Sequence, residues 1–215
     1  MSGRLQSVMM ARDPEVLEAA FRFYAPAAQR IVDCTANRRK MWKGVSVSGV
    51  QFMDIDPEVN PDIVADFRAM PFANDEIDVL IFDPPHLPSA AASPLSHSGM
   101  VRDYGLAWAS AGSSIGHFFP PFLAEAARVL KPDGLIFAKL KDFVHNHAYQ
   151  WTLADFVAAV RAQPGLTACD LIIKRDPCGG NLTSSRWQKA HHARNVHCWW
   201  VIIRKGRCEA KATQS

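Results

Sequence analysis

The stretch DVLIFDPPH, residues 78–86, ends an apolar run in an acid, two prolines and a histidine. Proline has no N–H to give a sheet ladder, so a strand here must stop at Asp83. The residue before a proline is also driven into extended backbone. Asp83, Pro84, Pro85 and His86 therefore make a stiff shelf at the carboxyl end of a strand. The shelf presents a carboxylate, carbonyls with no N–H beside them and one flat ring. Ligands of open α/β sheets bind at that edge, although the same four residues would also serve as a plain strand-ending turn.

Three further apolar runs end the same way. The first closes on Asp33, the second on Asp54 with Asp56 close by, and the third on Asp66. In a doubly wound sheet these ends converge with Asp83 on one crevice. An acid after the second strand can accept from both hydroxyls of a ribose, and one after the third from an adenine amino group. Strand-end acids also cap turns, which is the competing use of each taken singly. Four carboxylates in a row would repel one another unless a ligand or solvent stood between them.

The elements that must position these acids are short apolar runs at 30–34, 49–54, 61–66, 78–83, 134–140, 169–174 and 197–204. Several lack strict alternation, as strands buried on both faces do. Residues 13–24 predict a helix, with Asp13 as its cap, Pro14 in its first turn, and Val16, Leu17, Ala20, Phe21 and Tyr24 as an apolar stripe. Residues 117–134 predict a second helix closed by Pro132 and Gly134. Residues 152–165 predict a third, with Thr152 as cap and Asp155 at the capping-box position. Strands alternating with helices call for a mostly parallel sheet wrapped by helices. Two connections, 87–116 and 175–196, are longer than a compact domain needs, and loops of that length are commonly functional or disordered.

At 215 residues the chain fits one domain, and 48% hydrophobic with 21% charged residues is ordinary for a globular protein. No apolar run approaches the roughly 18 residues of a membrane span. The first 16 residues lack the apolar core of a signal peptide. Cys34, Cys169, Cys178, Cys198 and Cys208 are odd in number, widely spaced and without a C-x-x-C pair, which predicts reduced cytoplasmic thiols rather than disulfides or a zinc site. The net charge of +3 is uneven: from Ile172 onward nine Lys and Arg stand against two acids, a net +7, leaving −4 for the rest. A basic end on an acidic body suits a polyanionic partner on one face, or a solvated tail.

The order IVDCTANRR, FMDID, ADFRAMPF and IFDPPH resembles the class I S-adenosylmethionine-dependent methyltransferases. More narrowly it is similar to the amino-methyltransferases with a DPPY-type motif, which methylate exocyclic amines of nucleic-acid bases. The segment RVLKPDGLIFAKLKD (128–142) resembles the helix and strand after the catalytic loop of that group, and RWQKAHHARNVHCWWVIIR (186–204) its final hairpin. The resemblance spans residues 30–204 and implies a single Rossmann-like domain with a seven-stranded, mostly parallel sheet whose last strand is antiparallel. Residues 1–29 would precede that core, 87–116 form a substrate loop, 175–196 a basic hairpin loop and 205–215 a tail.

Carried onto this chain, the resemblance implies that Asp33 and the turn Cys34, Thr35, Ala36 and Asn37 hold the methionine part of S-adenosylmethionine. Asp54 would take the ribose hydroxyls, and Asp66 with Phe67 would meet the adenine. Asp83 and the Pro84 carbonyl would accept from the target amine, and His86, following Pro85, would stack on the base. Two departures stand out: His86 occupies a position usually held by Tyr, Phe or Trp, and the turn CTANRRK has no glycine, leaving Asn37 as its residue most tolerant of left-handed backbone. Arg38, Arg39 and Lys40 suit a carboxylate or phosphate, or begin a solvated helix.

Nucleic acid would meet Arg186, Trp187, Lys189, His191, His192 and Arg194, with Arg102, Tyr104 and Trp108 as walls for a base drawn from its stack. Adjacent histidines without matching ligands predict no metal site, and Trp199 and Trp200 read as core. The expected reaction is methylation of DNA adenine N6, with cytosine N4 next. An RNA adenine N6 or guanine N2 methyltransferase and a catalytically inactive nucleic-acid-binding module are the alternatives. With no segment for a separate recognition domain, target choice would rest on a short sequence, on RNA, or on a recognition partner or homodimer.

Overall fold

The computed structural model of the chain describes residues 5–84, 115–145, 148–177 and 195–208. Pro85, His86, Arg102, Tyr104, Trp108, Arg186, Trp187, Lys189, His191, His192 and Arg194 lie outside the described residues.

Ten strands occur among the described residues. They are β1 (Val8–Met10), β2 (Ile31–Asp33), β3 (Val50–Asp54), β4 (Ile63–Val64), β5 (Ile77–Phe82), β6 (Leu130–Leu140), β7 (Phe143–His145), β8 (Ala148–Gln150), β9 (Leu166–Arg175) and β10 (His197–Lys205). The helices are α1 (Asp13–Tyr24), α2 (Phe119–Val129) and α3 (Thr152–Ala162). Eight strands form one sheet in the order β1-β9-β10-β6-β5-β2-β3-β4. β10 runs antiparallel to both β6 and β9, and the other neighbours are parallel. The expected seven strands thus become eight. The added one is the edge strand β1, whose three residues are too few to show a period. Just before it, the Ser7 carbonyl accepts from Ile173 N–H at 2.7 Å, stitching the N-terminal segment to β9. β7 and β8 pair separately as a hairpin.

The core lies on both faces of the sheet, as expected for strands without strict alternation. Along β5, Leu80 and Phe82 turn to one face, where they meet Phe119, Phe122 and Leu123 of α2 and Phe156 of α3. Val79 and Ile81 turn to the other, against Val16, Leu17, Ala20 and Phe21 of α1. Phe82 stacks on Phe122 with ring centroids 3.7 Å apart. Trp200 is fully buried, whereas Trp199 is only partly covered.

Three helix boundaries differ from expectation. At α1 the N-cap is Arg12, whose N–H donates to the Glu15 carboxylate at 2.9 Å; Asp13 is drawn away to two lysines instead. α2 ends at Val129, five residues before Gly134. Residues 131–134 form a bulge in which Asp133 takes a φ of 63°. Gly134 is required there, since a Cβ would lie 2.9 Å from the Lys131 carbonyl oxygen and 3.2 Å from that of Ile77. At α3, Thr152 sits inside the helix with its buried hydroxyl unpartnered, and Asp142 accepts from Leu153 N–H at 3.0 Å in its place.

The cysteine expectation also requires correction. Cys169 of β9 and Cys208 beyond β10 are joined as a disulfide, with Cα atoms 5.7 Å apart. The two strands are paired neighbours, which brings together cysteines 39 residues apart in sequence, and no C-x-x-C pattern could announce that. Cys34 and Cys198 are free and buried. No helix among the described residues is long and apolar enough to cross a membrane.

Candidate active site

The chain runs outward from β2 through β3 to β4, then returns to place β5 on the other side of β2. The reversal makes the carboxyl ends of β2 and β5 the switch point of the sheet, where a crevice forms. Asp33 pairs with Ile81, so Asp83 rises two residues beyond it. Two bonds tie the turn after β2 to β5: Cys34 N–H donates to the Ile81 carbonyl at 3.1 Å, and Asp83 N–H donates to Thr35 Oγ1 at 2.7 Å.

The turn needs no glycine. Asn37 and Arg39 adopt φ values of 44° and 54°, and Ala36 N–H is held by the Met53 carbonyl at 3.0 Å. Arg39 leans out over the Phe52 ring at 4.2 Å and pairs with Asp62 at 3.2 Å. Lys40–Trp42 then form one turn of 3-10 helix, so neither a long solvated helix nor a glycine loop follows β2.

Asp33 is fully buried. Its Oδ2 accepts from Trp42 Nε1 at 2.6 Å and its Oδ1 from Thr35 N–H at 3.1 Å. Burial pushes its pKa up to about 7 against those two donors, and the Asp83 and Asp54 charges push the same way. Cys34 behind it is raised too, by burial and then by the Asp33 charge. Asp54 accepts from Asn37 N–H at 2.8 Å and Asp56 N–H at 3.0 Å, so it braces the turn from the side. Asp66 is claimed by Arg68, whose Nε stands 2.9 Å from both carboxylate oxygens; those bonds hold its pKa below the usual range. Phe67 packs edge-on against Phe82 at 5.4 Å and Phe122 at 5.9 Å.

An open cavity of about 630 Å³ lies between the turn after β2, the first turns of α1 and the ends of β5, β6 and β9. Of the expected site residues, Thr35, Ala36, Asn37 and Asp83 line it. Asp33, Cys34, Asp54, Asp66 and Phe67 are not among its lining residues, and Pro84 is buried.

The sequence reading missed the cations. Lys139 of β6 puts its Nζ 3.0 Å from Asp83 Oδ2 and 3.0 Å from Asp13 Oδ2. Lys174 of β9 stands 3.0 Å from Asp13 Oδ1 in an ion pair without hydrogen-bond alignment. Burial opposes the Lys139 charge, but Asp83 and Asp13 outweigh it and raise its pKa above the usual lysine range. Nearby Cys198 is pushed up to about 11 by burial, against the two lysines. The available signal was a lysine within the apolar run GLIFAKL and another closing CDLIIK. Lysine is almost never fully buried unless paired.

No family model and no curated protein matches the sequence. Solved structures do resemble the fold. A SAM-dependent methyltransferase from Methanosarcina mazei aligns with a TM-score of 0.53 and 11% identity, over 86% of this chain and 96% of that one. A 1,6-didemethyltoxoflavin-N1-methyltransferase from Burkholderia thailandensis, solved with S-adenosylhomocysteine, aligns with a TM-score of 0.54 and 12% identity over 91% and 79%. TrmN from Thermus thermophilus aligns with a TM-score of 0.51 and 15% identity over 89% of this chain; the chain spans about half of TrmN, 48%. At these identities the likeness is one of fold.

Proposed function

We propose that the chain is an S-adenosylmethionine-dependent methyltransferase acting on an exocyclic amino group of a nucleic-acid base, DNA adenine N6 foremost and cytosine N4 next. The observation that carries the reading is Asp83 on the wall of a cavity at the switch point, its backbone held by Thr35 and its carboxylate by Lys139. Neighbours in fold that are methyltransferases support the cofactor class.

The residues present fit that cofactor. The cavity has the size of a small-molecule site. Its cationic lining, Arg12, Arg38 and Lys43, suits a carboxylate, while Glu15 and Glu18 suit an ammonium. When bound, S-adenosylmethionine supplies an electrophilic methyl group on a sulfonium. The chain's own task is to raise the nucleophilicity of the amine. An exocyclic amine is weakly nucleophilic because its lone pair is delocalised into the ring. Asp83 and the Pro84 carbonyl accept from its N–H groups, draw the nitrogen toward tetrahedral geometry and localise the pair. Asp83 need not be a strong base, because the amine acquires its excess positive charge only as the new N–C bond forms and can shed the proton afterwards. His86 supplies the flat face for a base taken out of its stack.

The test incubates purified protein and labelled S-adenosylmethionine with unmethylated genomic DNA and, separately, total RNA, then identifies nucleosides by mass spectrometry. Methylated adenine or cytosine in DNA, lost in Asp83→Ala, is the expected result. Label confined to RNA would shift the assignment to an RNA amino-methyltransferase. Absence of product from both, with S-adenosylhomocysteine still bound, would leave a binding module.

A further inference from the structure

The most unusual grouping among the described residues is the alternating chain Asp83–Lys139–Asp13–Lys174–Asp176. Its first three links are each 3.0 Å and the last is 3.9 Å. The side chains of Lys139, Asp83 and Lys174 are only 16%, 14% and 9% exposed. Its members come from the residue after β5, from β6, the first turn of α1, β9 and the residue after β9.

The N-terminal segment is built to deliver Asp13 to this spot. β1 pairs in parallel register with β9, Met9 opposite Lys174, and Ala11 N–H donates to the Arg175 carbonyl at 3.0 Å. The chain then enters α1 with Arg12 at the cap and Glu15 closing back on it, which leaves the Asp13 carboxylate available to reach between two lysines. Without Asp13, Lys139 would be a buried cation shared less completely. Lys139 sets a buried cation against Asp83 on an edge that it shares with Asp33 and Asp54.

We propose that Lys139 is the positioning residue of Asp83, fixing the carboxylate toward the target amine, and that Asp13 anchors Lys139, so that residues 8–13 belong to the acceptor-orienting apparatus. The inference rests on the reading of Asp83 given above. Lys139 Nζ donates to Asp83 Oδ2 at 3.0 Å, which restrains rotation of the carboxyl group, while Thr35 holds the Asp83 backbone N–H. Misplacement of an acceptor by about 1 Å can cost about 100-fold in rate. A purely structural ion chain would instead lower stability and cofactor binding together.

The experiment compares the parent with Lys139→Met, Lys139→Arg and Asp13→Asn. It measures single-turnover label transfer to whichever nucleic acid the parent methylates, S-adenosylhomocysteine affinity by calorimetry, and melting temperature. The expected pattern is about a 100-fold loss of transfer rate in Lys139→Met with S-adenosylhomocysteine affinity within about twofold of the parent. Lys139→Arg recovers most of the rate, and Asp13→Asn loses about tenfold. Should Lys139→Met fail to fold, Asp13→Asn and Lys139→Arg carry the test: Asp13→Asn at parental rate overturns the inference. An active parent whose Lys139→Met variant keeps its rate, or loses rate and S-adenosylhomocysteine binding in proportion, overturns the inference alone. A parent that labels neither DNA nor RNA overturns the substrate reading and this inference with it.

Discussion

Asp78 at the amino edge of the central sheet and Asp33 at its carboxyl edge meet opposite surroundings. At the amino edge, Asp78 accepts from the backbone N–H groups of Gln29 and Arg30 at 3.0 and 2.8 Å and pairs with Lys131 at 2.7 Å. Its partial burial works against the charge, but those partners win and hold its pKa below the usual range. Glu76 beside it is lowered too, by the Ala73 N–H and then by Arg30. At the carboxyl edge Asp33 is buried and raised to about 7, and the cation for Asp83 comes from inside a strand. Acids that open a strand are pulled down by backbone N–H donors and by arginine and lysine. Behind the cavity wall Asp33 is desolvated and pushed up further by the Asp83 and Asp54 charges, a pattern that marks functional sites.

Removing an acid from each edge should break the comparison most sharply. Asp83→Ala is expected to reduce methyl transfer by about 1,000-fold while S-adenosylhomocysteine affinity stays within a few-fold, measured by product mass spectrometry and calorimetry. Asp78→Asn at the other edge should leave transfer at the parental rate.

The next effect is a pH dependence of opposite sign at the two edges. Asp33 holds its proton in the native protein up to about pH 7, whereas the unfolded chain loses it near 4. The native state therefore binds more protons in that window, and stability falls as pH rises from about 4 to about 7, then levels off. The whole contribution is at most about 4 kcal/mol. Asp33→Asn should remove it, so the variant's melting temperature should gain on the parent's between pH 5 and pH 8. An unchanged difference would mean that Asp33 is ionised throughout. Asp78, with its lowered pKa, contributes stability above about pH 4 that is lost as pH falls below that.

Smaller effects belong to the amino edge. Asp78→Asn is expected to cost about 1 kcal/mol in a urea titration, through weakened bonds to Gln29 and Arg30. Lys131→Gln, whose side chain is 40% exposed, should cost no more than about 0.5 kcal/mol.

Much of the frame was legible in the chain itself. The seven apolar runs became β2, β3, β4, β5, β6, β9 and β10, and α1 spans the predicted 13–24. These elements are specified by local periodicity and by prolines, whose restrictions act within a few residues. The position of Asp83 was legible for the same reason. β1 was not legible, because three residues carry no period and it forms only against β9. The end of α2 was misplaced because KPDG is both a good helix stop and a good bulge; pairing of Leu130 with Ile77 makes it the second.

What the sequence determined by itself is therefore seven of the ten described strands, the three described helices and the acids that finish strands, since backbone sterics and hydrophobic period are local properties. Which cation meets which acid was decided only in the tertiary structure. Asp83 and Lys139 lie 56 residues apart, and their meeting depends on β6 taking its place beside β5. Asp13 joins them because β1 registers on β9, and Cys169 meets Cys208 because β9 and β10 are neighbours. A buried charge must find its counterion to be tolerated at all, but nothing in the local sequence says from how far away that counterion will come.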